Sequence, residues 1–377
     1  MSSYEIEMEF KDCIIKIDDY VMSKGMTDEM FKMLKEEARI IFNLHIKNEK
    51  FVIDKVIQFI RRQELKIAIL KSIDILEKDG NYDEVLSMID KAISIGSGFN
   101  EGLSFMDLLK LPLIYKDVYD PSKLVKTGFA HYDAALQGGF APGEIHILMG
   151  SPKIGKSTMG CNIGAHALIS GKNVFHCTFE IKSVDVLVKY ACRLTGMSYT
   201  DFFNCDMVTY TSKIERFKKY EPRLFVNYWP EMTANAMTIR SWISRKRSEL
   251  KINPNLIIVD YDDLIEPISG PTGDGYNDAG TVYSDLIGLS SYFSAPCVSF
   301  AQPRREAWYK AEEGELISAQ DLAHSAKKAH KAFSISSLNF KKNNNKGTLY
   351  VDMVRRGESN VYISVEKDLS RALFREA

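Results

Sequence analysis

The stretch Gly150-Ser151-Pro152-Lys153-Ile154-Gly155-Lys156-Ser157 matches the phosphate-loop pattern G-x-x-x-x-G-K-[ST] at every fixed position. The mostly apolar residues 144–149 before it predict a buried strand, and residues 157–167 after it predict a helix. A strand, a glycine loop and a helix in this order direct backbone N–H groups and a helix N-terminus at a polyphosphate. The stretch from Gly150 to Thr158 is therefore predicted to bind a nucleotide, and a plain glycine-rich turn is the alternative.

Two side chains of this loop and one distant carboxylate are predicted to hold phosphate and magnesium. In such a loop, Lys156 reaches the β- and γ-phosphates and Ser157 ligates Mg²⁺. Further along the chain, Leu256-Ile257-Ile258-Val259-Asp260 is typical of a buried parallel strand that ends in a carboxylate. Such a strand would deliver Asp260 to Mg²⁺ or to its water shell. The pattern alone also fits an ordinary core strand.

The composition is that of an ordinary globular chain, with 377 residues, 45% hydrophobic, 26% charged and a net charge of −1. A nearly neutral chain has no global field that attracts nucleic acid or acidic lipid, so any DNA contact requires a local basic patch. The six cysteines form no C-x-x-C pair, which argues against a zinc ribbon or a disulfide framework. We find no secretory signal and no run of about 18 apolar residues. We therefore expect a cytoplasmic protein with no membrane partner.

The chain is predicted to contain a helical N-terminal module at residues 1–100, a linker at 101–123 and an α/β domain at 124–377. Apolar residues recur at helical spacing across Met26–Lys50, Phe51–Lys78 and Asp83–Ile95. In the last part, short β-like runs alternate at first with helical stretches, which predicts a mostly parallel sheet with an antiparallel pair near the C-terminus. The predicted strands are Ile145–Met149, Asn173–Glu180, Leu224–Tyr228, Leu256–Asp260, Cys297–Gln302, Phe333–Leu338, Thr348–Arg355 and Val361–Glu366.

Two polar residues close predicted strands where a nucleotide would bind. Glu180 could orient and polarise the water that attacks the γ-phosphate, but on spacing alone a surface glutamate that caps the next helix is an equal alternative. Gln302 could hydrogen-bond the γ-phosphate and report its loss, and an ordinary loop glutamine is equally consistent with the sequence. Nucleotides bind such sheets at the carboxyl ends of the strands, which is where both residues are expected.

A basic segment follows Gln302. Arg304, Arg305 and Lys310 are interleaved with Trp308 and Tyr309. Cations pair with phosphates and aromatic rings stack on bases, so this mixture suits single-stranded nucleic acid. A short solvated basic loop is an equal alternative.

Arg355-Arg356-Gly357 closes the predicted Thr348–Arg355 strand. An arginine beside a glycine at a strand end could project from the subunit and reach the γ-phosphate of a neighbour as an arginine finger. From the sequence alone, two exposed hairpin arginines are the simpler interpretation.

Together these motifs resemble the RecA-like ATPase core of DnaB-type hexameric replicative helicases, especially their bacteriophage versions. The resemblance covers about residues 124–375 and extends weakly into 59–92, whereas residues 1–50 do not match the family's N-terminal bundle. The matching positions are Lys126–Phe129, Asp133, Leu136–Gly139, Phe179–Glu180, Asp260–Tyr261, Leu264, Gln302, Asp321–Leu322, Ser325, Arg355 and Gly357. Two positions depart from the family pattern. Ala301 replaces the usual serine before the sensor glutamine, and Met353 stands where the finger motif has lysine.

The resemblance implies an α/β fold with a RecA-like P-loop ATPase core, ATP and Mg²⁺ as cofactors, and a hexameric ring of identical subunits on single-stranded or forked DNA. Glu180, Lys156, Gln302 and a neighbour's Arg355 would carry catalysis, and Asp260 would support the metal. A primase or a helicase loader is an implied partner. Two other functions stay open: a RecA-like ATPase that acts in recombination or loading without unwinding, and a nucleotide-gated assembly protein that does not hydrolyse ATP.

Overall fold

The computed structural model describes residues 49–77, 85, 88–89, 103, 105–218, 223–313, 315–322 and 325–377. The chain divides into two compact units, Met1–Asp107 and Leu108–Ala377. The linker predicted at 101–123 therefore lies across this division. Part of it is helical, with a 3₁₀ helix at Phe105–Leu109 and helix α2 at Leu111–Val118.

The first unit contains one long described helix, α1, at Glu49–Glu77. It confirms the helix expected from Phe51 to Lys78. The helices expected at Met26–Lys50 and Asp83–Ile95 fall almost entirely outside the described residues.

Within the described residues of the second unit, nine strands form one sheet in the order β3-β2-β4-β5-β1-β6-β7-β8-β9. The strands from β3 to β6 in this order are parallel, and β7, β8 and β9 extend the sheet with antiparallel pairing. The mostly parallel α/β sheet expected from the sequence is thus confirmed. The strands are β1 Ile145–Gly150, β2 Asn173–Thr178, β3 Arg223–Tyr228, β4 Leu256–Asp260, β5 Cys297–Ala301, β6 Ser334–Asn339, β7 Lys346–Val354, β8 Val361–Asp368 and β9 Leu373–Glu376.

All eight predicted strands are present, and their ends differ from the prediction by at most a few residues. The strands expected to include Glu180 and Gln302 end before them, at Thr178 and Ala301, so both side chains lie in loops just beyond the sheet. The four-residue strand β9 was not predicted. Strands β1, β4 and β5 are buried at every residue, as the apolar runs predict for a parallel sheet covered on both faces.

Helices pack on both faces of this sheet, and neighbouring residues of one strand enter different cores. Ile147 and Ile257 pack with helices α8 and α9, whereas Leu148 and Ile258 pack with α4 and α5. Full burial of each such side chain contributes on the order of 1.5–3 kcal/mol. The helices after α2 are α3 Ala130–Ala135, α4 Lys156–Ile169, α5 Ser183–Thr195, α6 Tyr199–Asn204, α7 Met207–Glu215, α8 Ala236–Leu250, α9 Gly275–Phe293, α10 Arg305–Glu313 and α11 Ser325–Lys331.

The described residues can be examined for membrane-spanning helices and for disulfide bonds. No helix among them combines the length and the apolar character that a membrane crossing needs. Their five cysteines are all free thiols.

Candidate active site

The phosphate loop joins the carboxyl end of β1 to the N-terminus of α4. Gly155 is the N-cap residue of α4 and has a φ of 111°. A Cβ atom at this position would lie 3.0 Å from the ring of Phe374, so both the backbone conformation and the available space require glycine. Helix α4 is 14 residues long, and the positive end of its dipole faces the loop. This stretch therefore has the strand–loop–helix geometry of a polyphosphate site.

Lys156 is buried at the start of α4. Its Nζ donates hydrogen bonds to the carbonyl oxygens of Gly150, at 2.8 Å, and Ser151, at 3.2 Å. Burial lowers the pKa of Lys156, and the nearby carboxylates of Asp260 and Glu180 partly oppose that shift. Because its hydrogen-bond acceptors are neutral carbonyls, the ammonium can turn to a phosphate oxygen without breaking an ion pair.

Asp260 closes β4 beside the loop and is almost fully buried. Neither carboxylate oxygen has a hydrogen-bond partner within the described residues. Burial raises the pKa of Asp260 to about 6, and the nearby Ser157 hydroxyl and Lys156 ammonium partly offset this rise. Unpartnered buried carboxylate oxygens beside a hydroxyl are suitable ligands for a hard cation, so Asp260 and Ser157 fit Mg²⁺.

The set of metal ligands at this site is small. In the part of the chain that the structure describes, no group of three or more His, Cys, Asp and Glu side chains is arranged around a possible metal position. Mg²⁺ bound with a nucleotide commonly takes one or two protein ligands and completes its shell with phosphate oxygens and water. The Asp260 and Ser157 pair is consistent with that mode of binding.

Glu180 lies directly beside Asp260. Thr178 pairs with Asp260 in register, and the N–H of Phe179 donates to the Asp260 carbonyl oxygen at 2.8 Å. This bond extends the strand pairing one residue beyond β2 and places Glu180 next. The Glu180 carboxylate is close enough to raise the pKa of both Lys156 and Asp260. It is solvent-exposed, so water can reach it.

Gln302 follows β5, which lies between β4 and β1. Ala301 pairs with Met149, so Gln302 lies next to Gly150 at the beginning of the phosphate loop. The four strand ends that carry Glu180, Asp260, Gln302 and the loop are adjacent and span ~14 Å at the usual strand spacing. The residues predicted for nucleotide chemistry therefore meet at one edge of the sheet, except for Arg355.

Arg355 lies at the opposite edge of the sheet. Ser334 pairs with both His146, near the start of β1, and Val354, at the end of β7. Gly150, where the phosphate loop begins, lies four residues further along β1, or about 13 Å at ~3.3 Å per residue, so Arg355 cannot reach the loop of its own chain. Its guanidinium donates to the carbonyl oxygens of Ala332, at 3.0 Å, and His330.

Arg356, the next residue, is packed against other residues of the same unit. Its guanidinium lies 3.6 Å from the Glu144 carboxylate and is stacked over the Tyr119 ring at 4.3 Å. Gly357 follows with a φ of 133°, and a Cβ there would overlap the Ala135 carbonyl oxygen. Arg356 therefore anchors the turn, and Arg355 is the exposed member of the pair.

The basic segment after Gln302 is partly engaged within the chain. Arg304 donates to the Gln320 carbonyl oxygen, and Lys310 Nζ lies 3.5 Å from an Asp321 carboxylate oxygen. Arg305 is exposed at the start of α10, and Tyr309 is 65% exposed. Arg304 and Lys310 are exposed as well, so the proposed stacking surface presents three cations and one exposed ring, and its role in DNA binding stays a prediction.

Sequence reasoning missed one buried ion cluster beside the site. Lys328 Nζ lies 2.7 Å from an Asp262 oxygen and 2.6 Å from an Asp263 oxygen. Asp262 and Asp263 follow Asp260 closely, so the sequence could have suggested that they lie near the site. Lys328 could not be recognised as buried, because it forms part of a Lys-Lys pair in a basic helix. Lys328 is 66 residues from Asp262 and 65 from Asp263 in the sequence, so no local pattern reveals the pairing.

Comparison with known proteins gives one family match over most of the α/β unit. The family model for the DnaB-like helicase C terminal domain matches residues 125–345. A DnaB-like replicative helicase of Enterobacteria phage T4 is 24% identical over 196 residues, which cover 50% of this chain and 40% of that protein. This chain thus matches well under half the length of that relative.

Solved structures share the fold. The structure of an isolated ATPase domain superposes with a TM-score of 0.62 at 13% identity, over 73% of this chain and all of that domain. The structure of a DnaB-like replicative helicase and its interactions with primase gives a TM-score of 0.60 at 13% identity, over 95% of this chain and 87% of that one. The second unit accordingly has a RecA-like ATPase fold.

Proposed function

This chain belongs to the family of the DnaB-like helicase C-terminal domain, and on that premise we propose that it is an ATP-driven DNA helicase motor that unwinds duplex DNA in replication. One observation carries the proposal. The phosphate loop, Asp260 and Glu180 meet at one edge of the sheet, while Arg355 is exposed at the other. A site divided in this way needs a second subunit, as in a ring motor.

Each residue at the carboxyl edge of the sheet has a separate role in ATP hydrolysis. Lys156 and the N–H groups of the loop bind the β- and γ-phosphates. Ser157 and Asp260 would hold Mg²⁺, which neutralises phosphate charge when it is bound. Glu180 orients the water that attacks the γ-phosphorus, and Gln302 hydrogen-bonds a γ-phosphate oxygen. The bond between the γ-phosphorus and the bridging oxygen then breaks, and the products are ADP and phosphate.

Arg355 completes the site of the neighbouring subunit in this proposal. An arginine finger increases the rate of phosphoryl transfer by about 10³ to 10⁵, so an isolated subunit should hydrolyse ATP poorly. Met353 occupies the lysine position of the finger motif and packs against the apolar core, so the second cation of the finger is missing or comes from elsewhere. Exposed apolar side chains at the start of the unit, including Leu109 at 79% and Leu113 at 69%, support contact with another copy. We propose a hexameric ring.

The proposed substrates and partners extend the family assignment. The ring would act on single-stranded or forked DNA, with Arg304, Arg305 and Lys310 on the DNA path. One structure with the same fold is that of a replicative helicase described with its interactions with primase, so we propose a primase or a helicase loader as a partner here. The reaction would take place in the cytoplasm, or in the host cytoplasm for a viral protein.

DNA-stimulated ATPase activity and strand displacement on a forked substrate test the function together. ATPase activity with displacement supports the helicase. Stimulated ATPase activity without displacement would indicate a recombination or loading ATPase. If neither activity is present, the proposal fails in favour of an assembly protein that does not hydrolyse ATP.

A further inference from the structure

Helix α11 contacts both functional edges of the sheet. It is a seven-residue helix that immediately precedes β6. At one end of the sheet it meets the segment that follows Asp260, and at the other it accepts the hydrogen bonds of Arg355. It is therefore a short physical connection between the metal strand of a subunit and the finger that the same subunit presents to its neighbour.

The contact with the metal strand is a buried ion cluster. Lys328, on α11, and Asp262 are each 1% exposed and lie 2.7 Å apart, with Asp263 completing the cluster at 2.6 Å. Asp262 and Asp263 belong to the 3₁₀ turn Asp262–Leu264, two residues after Asp260. A buried ammonium between two carboxylates cannot move away without exposing an unpaired charge to a low-dielectric interior. The cluster thus fixes α11 against the end of β4.

The contact with the finger involves the C-terminal end of α11. Arg355 Nε donates to the Ala332 carbonyl oxygen at 3.0 Å, and another guanidinium nitrogen donates to the His330 carbonyl oxygen. The backbone N–H of Arg355 also donates to Phe333 at 2.9 Å. The direction in which Arg355 points therefore depends on where the end of α11 is held.

The other lysines of α11 have weaker attachments. Lys327 Nζ donates to the Asn277 side-chain oxygen, and Lys331 Nζ donates to the Gly280 carbonyl oxygen and to Ser284. These acceptors on α9 are all neutral. Among the three lysines, Lys328 is the one that is fully buried and paired with carboxylates.

We propose that Lys328 is a positioning residue that holds α11 against the metal strand and thereby sets the placement of Arg355 for the neighbouring subunit. The proposal rests on the proposed function, because it requires that Arg355 act between subunits. Lys328 pairs with Asp262 and Asp263 and is not one of the residues proposed to bind phosphate or metal. Its effect should therefore appear in the ability of a subunit to donate Arg355, separately from that subunit's own hydrolysis.

Mixed assemblies isolate this role. A Lys156→Ala subunit cannot hydrolyse ATP but can donate Arg355, and an Arg355→Ala subunit has the reverse defect. Mixing the two should restore ATPase activity. We then add Lys328→Met to the Lys156→Ala donor. Because displacement of a catalytic group by ~1 Å can cost about 100-fold in rate, we expect the restored activity to fall about 10- to 100-fold.

Lys327→Met in the same donor is the matched control. It removes a charge from the adjacent position of α11 and should change the restored activity by less than about twofold. Thermal melting and assembly of each donor are measured beside the activity. If Lys328→Met does not fold, the donor carries Lys328→Met with Asp262→Leu, which removes the buried charges together. A folded donor of this kind should also fail to restore activity.

The outcomes separate the two proposals. If a mixture of Lys156→Ala and Arg355→Ala subunits restores no ATPase activity, both the shared site and the role of Lys328 are wrong. If that mixture restores activity, and a folded, assembled donor that also carries Lys328→Met restores as much, the shared site stands and the positioning role is overturned. A loss of restored activity that is confined to the Lys328 variants supports the positioning role.

Discussion

Replacement of Asp260 by asparagine is expected to stabilise the nucleotide-free protein and at the same time to abolish ATP turnover. Burial raises the pKa of Asp260 from its ordinary 3.8 to about 6. The folded state therefore binds this proton more tightly than the unfolded state, so the stability of the parent falls as pH rises from about 3.8 through about 6. The pKa difference of about 2 units corresponds to about 3 kcal/mol. Asparagine keeps the shape of the side chain and avoids that penalty.

Urea unfolding of parent and Asp260→Asn between pH 4.5 and 7.5, without nucleotide or metal, measures the effect. The variant's advantage should grow with pH and level off above about pH 6, at up to about 3 kcal/mol. Mg²⁺ with ATP should then stabilise the parent more than the variant, because only the parent offers a carboxylate to the metal. A variant that is less stable than the parent across this whole range would refute the reasoning.

Asp278→Asn provides a control of opposite sign. Hydrogen bonds from the Thr272 side chain and backbone lower the pKa of the Asp278 carboxylate. Its contribution to stability is therefore present above the unfolded pKa and is lost as pH falls through the lower folded pKa. Asparagine at this half-buried position should reduce stability at neutral pH, and the two substitutions should shift the urea midpoint in opposite directions.

The remaining predictions concern turnover, assembly and DNA. Lys156→Ala should abolish hydrolysis because it removes the charge on the β- and γ-phosphates, and turnover near the parent rate would exclude this loop as the active site. Glu180→Gln should bind ATP but not turn it over; loss of nucleotide affinity with a normal rate per bound ATP would make Glu180 structural. Arg355→Ala should bind ATP normally and lose about 10³-fold or more in DNA-stimulated rate, and a parent rate would contradict the finger assignment. Arg304→Ala with Arg305→Ala should weaken single-stranded DNA binding and flatten its salt dependence, since fewer counterions are released; an unchanged slope would place the DNA path elsewhere.

The phosphate loop could be recognised from the sequence because its chemistry is contiguous. One strand, one loop and one helix supply all its groups, so spacing alone predicts their geometry. Asp260 and Glu180 are distant in sequence from the loop and from each other, but each follows an apolar run. Parallel strands place their carboxyl ends at one edge of a sheet, so the order of elements predicted that the loop, Asp260 and Glu180 meet there. It did not predict which strands lie next to each other in the sheet.

Strand β9 and the ion cluster of Lys328 could not be predicted from local sequence patterns. Four residues at the C-terminus are too few for periodicity to distinguish a strand from a coil. Lysine in a polar helix is normally a solvated residue, and only the approach of α11 to the turn after β4 buries Lys328 between two carboxylates. Partners separated by 66 residues are brought together by packing, not by sequence spacing.

The sequence by itself determined the nucleotide loop, the parallel sheet and the candidate residues at its edge, because each depends on local spacing or on the burial of apolar runs. Tertiary structure alone showed which of Arg355 and Arg356 is exposed. These neighbours follow the same strand, but one is exposed beside α11 and the other is packed against Glu144 and Tyr119. The physical reason is that both residues lie in the bend after β7, where contacts with residues distant in sequence, and no local pattern, determine which side chain is packed and which stays exposed.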